Sequence, residues 1–400
     1  MIQSPVSLAA RLQELPRAFT ASTWIAGVLA VIVGFTGSLV LTFDVAQKAH
    51  LSGAQLSSWV WSITVGSGLL SFGLSLWYRQ PVLTAWSTPG LAVLASSLSQ
   101  YKLEEAVGAY IVVGLMIAFF GATGLFDRVM RLVPQNVALA VLAGILFKYG
   151  LELFSSITLE PVMILVMLAV FLIAKKTTSR VPMAWALVSG FATAAALGKF
   201  NLEGVKLELA IPMFVAPAFS ISALIGLGVP LLVLALASQN APGLAVMRAN
   251  GYEPPTRGAL ISTGLLSAAF APLLCHGLTL AAITAAIANG REAHPDPKLR
   301  YGAGLTAGIL KATLGLFGAT IVAVFLAVPH ALIAAMAGLA LSGTIQSCLT
   351  GAFNDSRRRD SSVFALLVTA SGVTLLGLGS AFWGLLFGSL VGLLLERDET

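Results

Sequence analysis

Apolar residues run through this chain in long unbroken stretches, broken only by short polar interludes. Residues 24–43, 57–78, 108–126 and 361–395 are each long enough, as helix, to cross about 30 Å of hydrocarbon. A membrane barrel would show short alternating segments instead. Apolar runs over about 24–45, 57–77, 88–101, 106–126, 133–150, 158–174 and 181–198 predict seven segments in the first half. Runs over about 229–249, 257–271, 274–289, 300–326, 331–351, 361–377 and 379–395 predict seven more. The pattern predicts an all-α polytopic membrane protein with 14 membrane segments, or 12 if the short ones re-enter.

The two halves begin alike, with "RAFTASTWIAGVLAVIVGFTGSLVLTF" near residue 17 and "APAFSISALIGLGVPLLVLALASQNAPG" near residue 216. Later each half holds a segment broken by Pro or Gly, at 78–97 and 268–290. Seven is odd, so two such halves cross in opposite senses. The expectation is two inverted seven-span repeats, residues 1–200 and 201–400, with a binding site near the breaks.

The breaks change the picture most. An unpaired backbone group in lipid costs several kcal/mol, so irregular backbone belongs against protein or a wet cavity. In "QPVLTAWSTPG" (80–90), residues 81–85 read as extended. Pro89–Gly90 reads as the start of a half-helix with Thr88 as its cap. Gly277 and Thr279, after "PLLCHG", frame a similar start in the second half. Two such helix ends pointing at one cavity would offer amide hydrogens and positive dipole ends to a carboxylate.

Polar side chains inside apolar runs supply the remaining candidates. "LASQNAPGLAVM" (236–247) places Gln239 beside Asn240, which bring donors and acceptors without a charge. They read as ligand amides or as bridges between helices. Pro242 and Gly243 permit a bend or a close backbone approach. Trp86 reads as a flat wall for an aromatic ring, or as an anchor for the break. Asp44 ends the first long run and is either an end-cap or a proton carrier. His276 is a proton or substrate contact, or a helix–helix hydrogen bond. Lys311, deep in "GLTAGILKATLGLFG", must pair, snorkel or line a cavity, and is a third proton-coupling candidate.

Composition agrees with a membrane protein: 57% of the 400 residues are hydrophobic, and only 10% are charged against about 25% in soluble domains. The net charge of +6 is spread thinly through loops, without the aromatic interleaving of a nucleic-acid surface. Lys175, Lys176, Arg180, Arg291, Lys298, Arg300 and Arg357–Arg359 fall on one side if both termini are cytoplasmic. Lys48, Lys102, Lys148, Lys199 and Lys206 fall on the other. Cys275 and Cys348 sit in apolar runs and read as packing residues. No HExxH, P-loop, CxxC or GxSxG motif occurs, so no cofactor, metal or catalytic machinery is expected.

With "TAWSTPG", "LASQNAPG" and "GAFNDSRRRD" in place, essentially the whole chain resembles the benzoate:proton symporter family of BenE type. The resemblance implies the uracil-permease/sulfate-permease architecture. It implies a core domain from 24–126 and 229–326, and a gate domain from 133–198 and 331–395. Short strands and half-helices are implied at segments 3 and 10. It places substrate among segments 1, 3, 8 and 10, which here hold Thr36 and Gly37, Trp86 to Gly90, Gln239 and Asn240, and Cys275 to Gly277. Nucleobase permeases carry glutamates where this chain has Gln239 and His276, which argues against nucleobases. The implied activity is proton-coupled benzoate import through a bacterial inner membrane, with membrane lipids around it; relatives of this fold often pair as homodimers through gate-domain helices, and the sequence leaves the oligomeric state open. A passive anion channel, or a transporter of another small organic anion, is the alternative.

Overall fold

The computed structural model describes residues 15–126, 128, 134–177, 182–199, 206–281, 283–291, 293–327, 329–375 and 380–396. Arg180 lies outside the described residues. The first half contains α1 (Ala21–Gly34), a π-helical turn (Phe35–Leu39), α2 (Val40–Lys48) and α3 (Gly53–Tyr78). Strand β1 (Thr84–Trp86), α4 (Thr88–Ser97), α5 (Leu103–Thr123), α6 (Gln135–Ser155), α7 (Pro161–Lys176) and α8 (Pro182–Ala196) follow. The second half opens with α9 (Val229–Ala235), set between π turns at Leu224–Gly228 and Leu236–Asn240. Then come α10 (Ala241–Ala249), α11 (Thr256–Phe270), β2 (Leu278–Leu280), α12 (Ile283–Asn289), α13 (Tyr301–Leu316) and α14 (Gly318–Leu326). The chain finishes with α15 (His330–Ala352), α16 (Arg359–Ala370) and α17 (Ser380–Leu395).

The expected 14 segments in two seven-span repeats are corrected by this structure. Among the described residues, four helical stretches are long and apolar enough to span alone: Gly53–Tyr78, Leu103–Thr123, Gln135–Thr158 and Ile221–Arg248. The number rises to six if two bent pairs each make one span: Pro297–Leu316 with Gly318–Val324, bent by 69°, and Ala331–Leu339 with Leu341–Ala352, bent by 40°. The reason is geometric. Ala21–Gly34, Pro182–Ala196 and Ser380–Leu395 are apolar but short. At 1.5 Å per residue, helices of this size rise only about 20–24 Å. The stretch 361–395 is likewise divided between α16 and α17. Apolar run length overstated helix length wherever a bend or break intervened.

Packing runs heaviest within two groups of helices. In one, α13 lies along α3 and α1, and α5 along α11. In the other, α6 packs on α15, α16 and α17, with α7 on α8. Gly68 and Gly308 let α3 and α13 meet backbone to backbone. A Cβ on Gly68 would sit 2.6 Å from the Ala312 nitrogen, and one on Gly308 would sit 2.6 Å from the Phe72 nitrogen. Such small-residue seams bring helices together where lipid gives no hydrophobic drive. Large apolar side chains face outward, among them Leu115, Phe119, Leu151, Leu172 and Trp185, as a lipid-facing surface requires.

At the centre, β1 and β2 pair antiparallel, with Thr84 opposite Leu280 and Trp86 opposite Leu278. Each three-residue strand has backbone groups its partner cannot reach, and helix serines supply them. Ser71 Oγ accepts from the Thr84 N–H at 3.0 Å, Ser75 Oγ donates to the Val82 carbonyl at 3.2 Å, and the Ser67 carbonyl accepts from the Thr84 hydroxyl at 2.8 Å. Spacing of four puts Ser67, Ser71 and Ser75 on one face of α3. Ser267 on α11 plays the same part for β2, accepting from the Leu278 N–H at 2.8 Å.

Candidate functional site

A cavity of about 630 Å³ opens between the two helix groups, within the usual size of small-molecule sites. Its walls differ in chemistry. From α13 and from the π turns, β1, the start of α4 and α12 come Ser38, Trp86, Thr88, Gln239, Thr284 and Lys311. From the second helix group come Leu139, Leu142, Leu146, Phe171, Leu339 and Leu341. The first wall sets buried Trp86, Thr284 and Lys311 into the cavity, whereas the second is aliphatic and aromatic apart from Gln135, Lys175, Ser342, Thr344 and Ser347.

The opening lies where Gln135, Lys175, Gly343 and Ser347 are exposed. That end of α6 adjoins the arginine-rich loop, since Asn136 Nδ2 donates to the Arg358 carbonyl at 3.0 Å. Towards its other end, beyond the cavity lining, α6 carries buried Tyr149 and Leu153. There Lys48 Nζ donates to Asp44 at 2.8 Å and to Glu152 at 3.4 Å, and lies 4.9 Å from the Tyr149 ring centre. The cluster ties α2 to α6.

Residues 81–90 and 272–279 are not continuous helix. The cap of α4 is Ser87 rather than Thr88: Ser87 Oγ accepts from Gly90 N–H at 3.0 Å, and its carbonyl accepts from Leu91 N–H. Pro89 has no N–H. This helix start therefore gives the cavity the Thr88 and Pro89 surfaces rather than a row of bare amides. The expected start at Gly277 and Thr279 lies instead in the approach to β2 and within it, and α12 begins only at Ile283. Gly277 holds φ 143°, a conformation that favours glycine, and its carbonyl accepts from Ser87 N–H at 3.0 Å.

The neighbouring amides separate. Gln239 lines the cavity. Asn240 is buried behind it, and its Oδ1 accepts from the Leu280 N–H at 3.0 Å. Gly243 lets α10 approach the same strand, since a Cβ there would meet Leu280 Cβ at 2.8 Å. Thr36 and Gly37 lie in the π turn at Phe35–Leu39. In that turn Ser38 Oγ pairs with Thr88 Oγ1 at 2.6 Å.

The three titratable candidates are also parted. Asp44 is in the Lys48 cluster, outside the cavity lining. His276 is 2% exposed and does not line the cavity. The Trp59 indole N–H donates to its Nδ1 at 2.9 Å, so Nε2 carries the ring proton and donates to the Ser87 carbonyl at 3.1 Å. Both ring nitrogens are satisfied in the neutral form, and a second proton would confront the indole N–H. Lys311 alone lines the cavity, its ammonium donating to the Thr84 carbonyl at 2.6 Å. Trp86 lines it as well, edge-on to Phe35 at 5.4 Å between ring centres. The aliphatic wall and Ser38, Ser238 and Thr284 were missed from sequence, because their neighbours there are ordinary membrane residues.

Residues 17–394 match the family described as BenE, benzoate membrane transport protein. The chain belongs to the BenE family. Membership makes it a membrane transport protein for benzoate or an aromatic carboxylate, and not an enzyme. The chain is 41% identical over 368 residues to the inner membrane protein YdcO of Escherichia coli (strain K12), covering 92% of this chain and 94% of that one. It is 38% identical over 390 residues to the benzoate membrane transport protein of Acinetobacter baylyi, covering 97% and 98%. These kinships place it in a bacterial inner membrane as a multi-pass protein. Its fold is shared with the transmembrane domain of the cyanobacterial bicarbonate transporter BicA, at 16% identity and TM-score 0.61, covering 92% of this chain and 96% of that one. It is shared too with the murine Solute Carrier 26 family member A9 anion transporter, solved in its inward-facing state, at 12% identity and TM-score 0.59, covering 96% and 70%.

Proposed function

We propose that the protein imports benzoate or a close aromatic carboxylate together with a proton, by alternating access at the two-walled cavity. The carrying observation is the contrast between its walls. An aromatic acid has the same asymmetry, with a charged end for the hydrogen-bonding wall and a flat apolar body for the leucines. The ring lies between Trp86 and the aliphatic wall, and the Gln239 amide reaches the carboxylate end.

In this reading the helices of 24–126 and 229–326 form a core that moves against a gate formed by 133–198 and 331–395. The Arg357–Arg359 side is cytoplasmic, as are both termini, so the cavity faces inward. The Lys48–Glu152 contact is then a latch holding the outer side shut. Lys311, lining the cavity, carries the proton. Two copies pair through gate helices.

The test is uptake of radiolabelled benzoate into proteoliposomes under an imposed pH gradient. Saturable uptake that follows the gradient is expected. Saturable uptake indifferent to it refutes symport, and flux that never saturates assigns the cavity to a channel.

A further inference from the structure

The cavity carries an imbalance of charge. Lys175 and Lys311 line it, and among its described lining residues there is no aspartate or glutamate. Lys175 is exposed at the mouth, 5.9 Å from the Phe171 ring centre. Lys311 is different, with 2% of its surface exposed. An ammonium has three donors. One goes to the Thr84 carbonyl, and among the described residues no carboxylate bridges the group. A buried cation so placed is costly until a counter-charge arrives. Trp86 and Ser238 line the same cavity, and each keeps a buried polar atom without a hydrogen-bond partner. Trp86 is two residues along β1 from Thr84, about 7 Å of strand.

We infer that Lys311 is the specificity-determining cation of the site, pairing with the single carboxylate of a mono-anionic aromatic acid. The inference rests on the cavity being the transport site, and it adds the rule by which that site selects. One buried cation neutralises one carboxylate. A second carboxylate across the ring, as in terephthalate, would be carried away from Lys311 toward the wall of Leu139, Leu142 and Leu146. Benzamide keeps the shape but brings no charge, so the ammonium stays uncompensated. Monocarboxylates are therefore chosen over both.

Purified wild type, K311M and K311R are titrated calorimetrically with benzoate, benzamide and terephthalate. Wild type is expected to favour benzoate over the other two by at least about tenfold. K311M loses that preference, with benzoate affinity lower by on the order of tenfold to a hundredfold, the range for losing a charge-assisted pair. K311R, which keeps the charge, retains most of the preference. K311M within twofold of wild type for benzoate overturns the assignment while leaving the transport site in place. Wild type that binds no benzoate overturns the transport reading itself. If K311M does not run as a single folded species, wild type decides alone, and equal affinity for benzoate and benzamide overturns the proposal.

Discussion

The seam between α3 and α13 gives the sharpest prediction, because α13 carries Lys311 into the cavity. A methyl group on Gly68 would stand 2.6 Å from the Ala312 nitrogen and 2.8 Å from the Gly308 carbonyl oxygen, against an ordinary contact of 3.4 Å or more. Both obstacles are backbone, so no side chain can turn away. The helices must part by about 0.8 Å, the shortfall between 2.6 and 3.4 Å. The same shift would stretch the 2.6 Å bond from Lys311 to Thr84 to roughly 3.4 Å, past the useful range of about 2.7–3.2 Å. Overpacking of this kind costs about 1–3 kcal/mol. Gly68→Ala should therefore lower the thermal midpoint of the detergent-solubilised protein, followed by tryptophan fluorescence. It should also weaken benzoate binding several-fold, less than removal of Lys311, since a flexible lysine recovers part of its reach. Gly73 on the same helix is the control: a Cβ there meets nothing within 4 Å. Gly73→Ala should be neutral or slightly stabilising. Equal midpoints and equal affinities for the Gly68 and Gly73 variants would show that the seam does not position Lys311.

Gln239→Ala should lose more benzoate affinity than stability, and Asn240→Ala the reverse, since only Gln239 lines the cavity while Asn240 satisfies the Leu280 amide. Binding titrations and thermal midpoints on both variants decide, and the opposite ranking refutes the division. His276→Phe should strip the Trp59 indole and the Ser87 carbonyl of their shared partner, at about 1–3 kcal/mol for each buried group. The protein that survives should keep the wild-type pH profile of uptake, and a displaced profile would return His276 to the proton path. Glu152→Gln removes the α6 partner of Lys48. With side-chain exposures of 32% and 27%, that pair contributes less than about 1 kcal/mol, so benzoate counterflow should quicken by at most about fivefold. A slowed exchange would mean that the contact is not a latch.

Much of the broken backbone beside the cavity was legible because proline and glycine are rare signals inside oily sequence. Pro81, Pro89 and Gly90 located the first break, and the extended backbone before Trp86 followed from them. The cap lay one residue earlier than expected, at Ser87. The second break was harder to read. Gly277 serves a strand rather than a helix start, and no local pattern separates the two in an apolar run. The span count was overstated for a related reason: hydropathy registers apolar length and is blind to the 69° bend between α13 and α14 and to the division of 361–395 between α16 and α17. Side chains that act across the fold left no trace in the chain order. Glu152 meets Lys48 from 104 residues away, and Trp59 meets His276 from 217. The α3 serines are the exception, since Ser67, Ser71 and Ser75 already fall on one helical face in the sequence.

The pairing of β1 with β2 sets an order on biogenesis. Thr84 finds its strand partner only when Leu280 arrives, nearly two hundred residues later in synthesis. Until then the α3 serines are the nearest groups able to satisfy the nascent strand, and they leave the translocon just ahead of it. The amino-terminal half must wait with an open polar edge that bare hydrocarbon does not tolerate. A ribosome stalled shortly after residue 100 would thus leave an unfinished edge for membrane quality control to recognise, and completion of β2 would remove that signal.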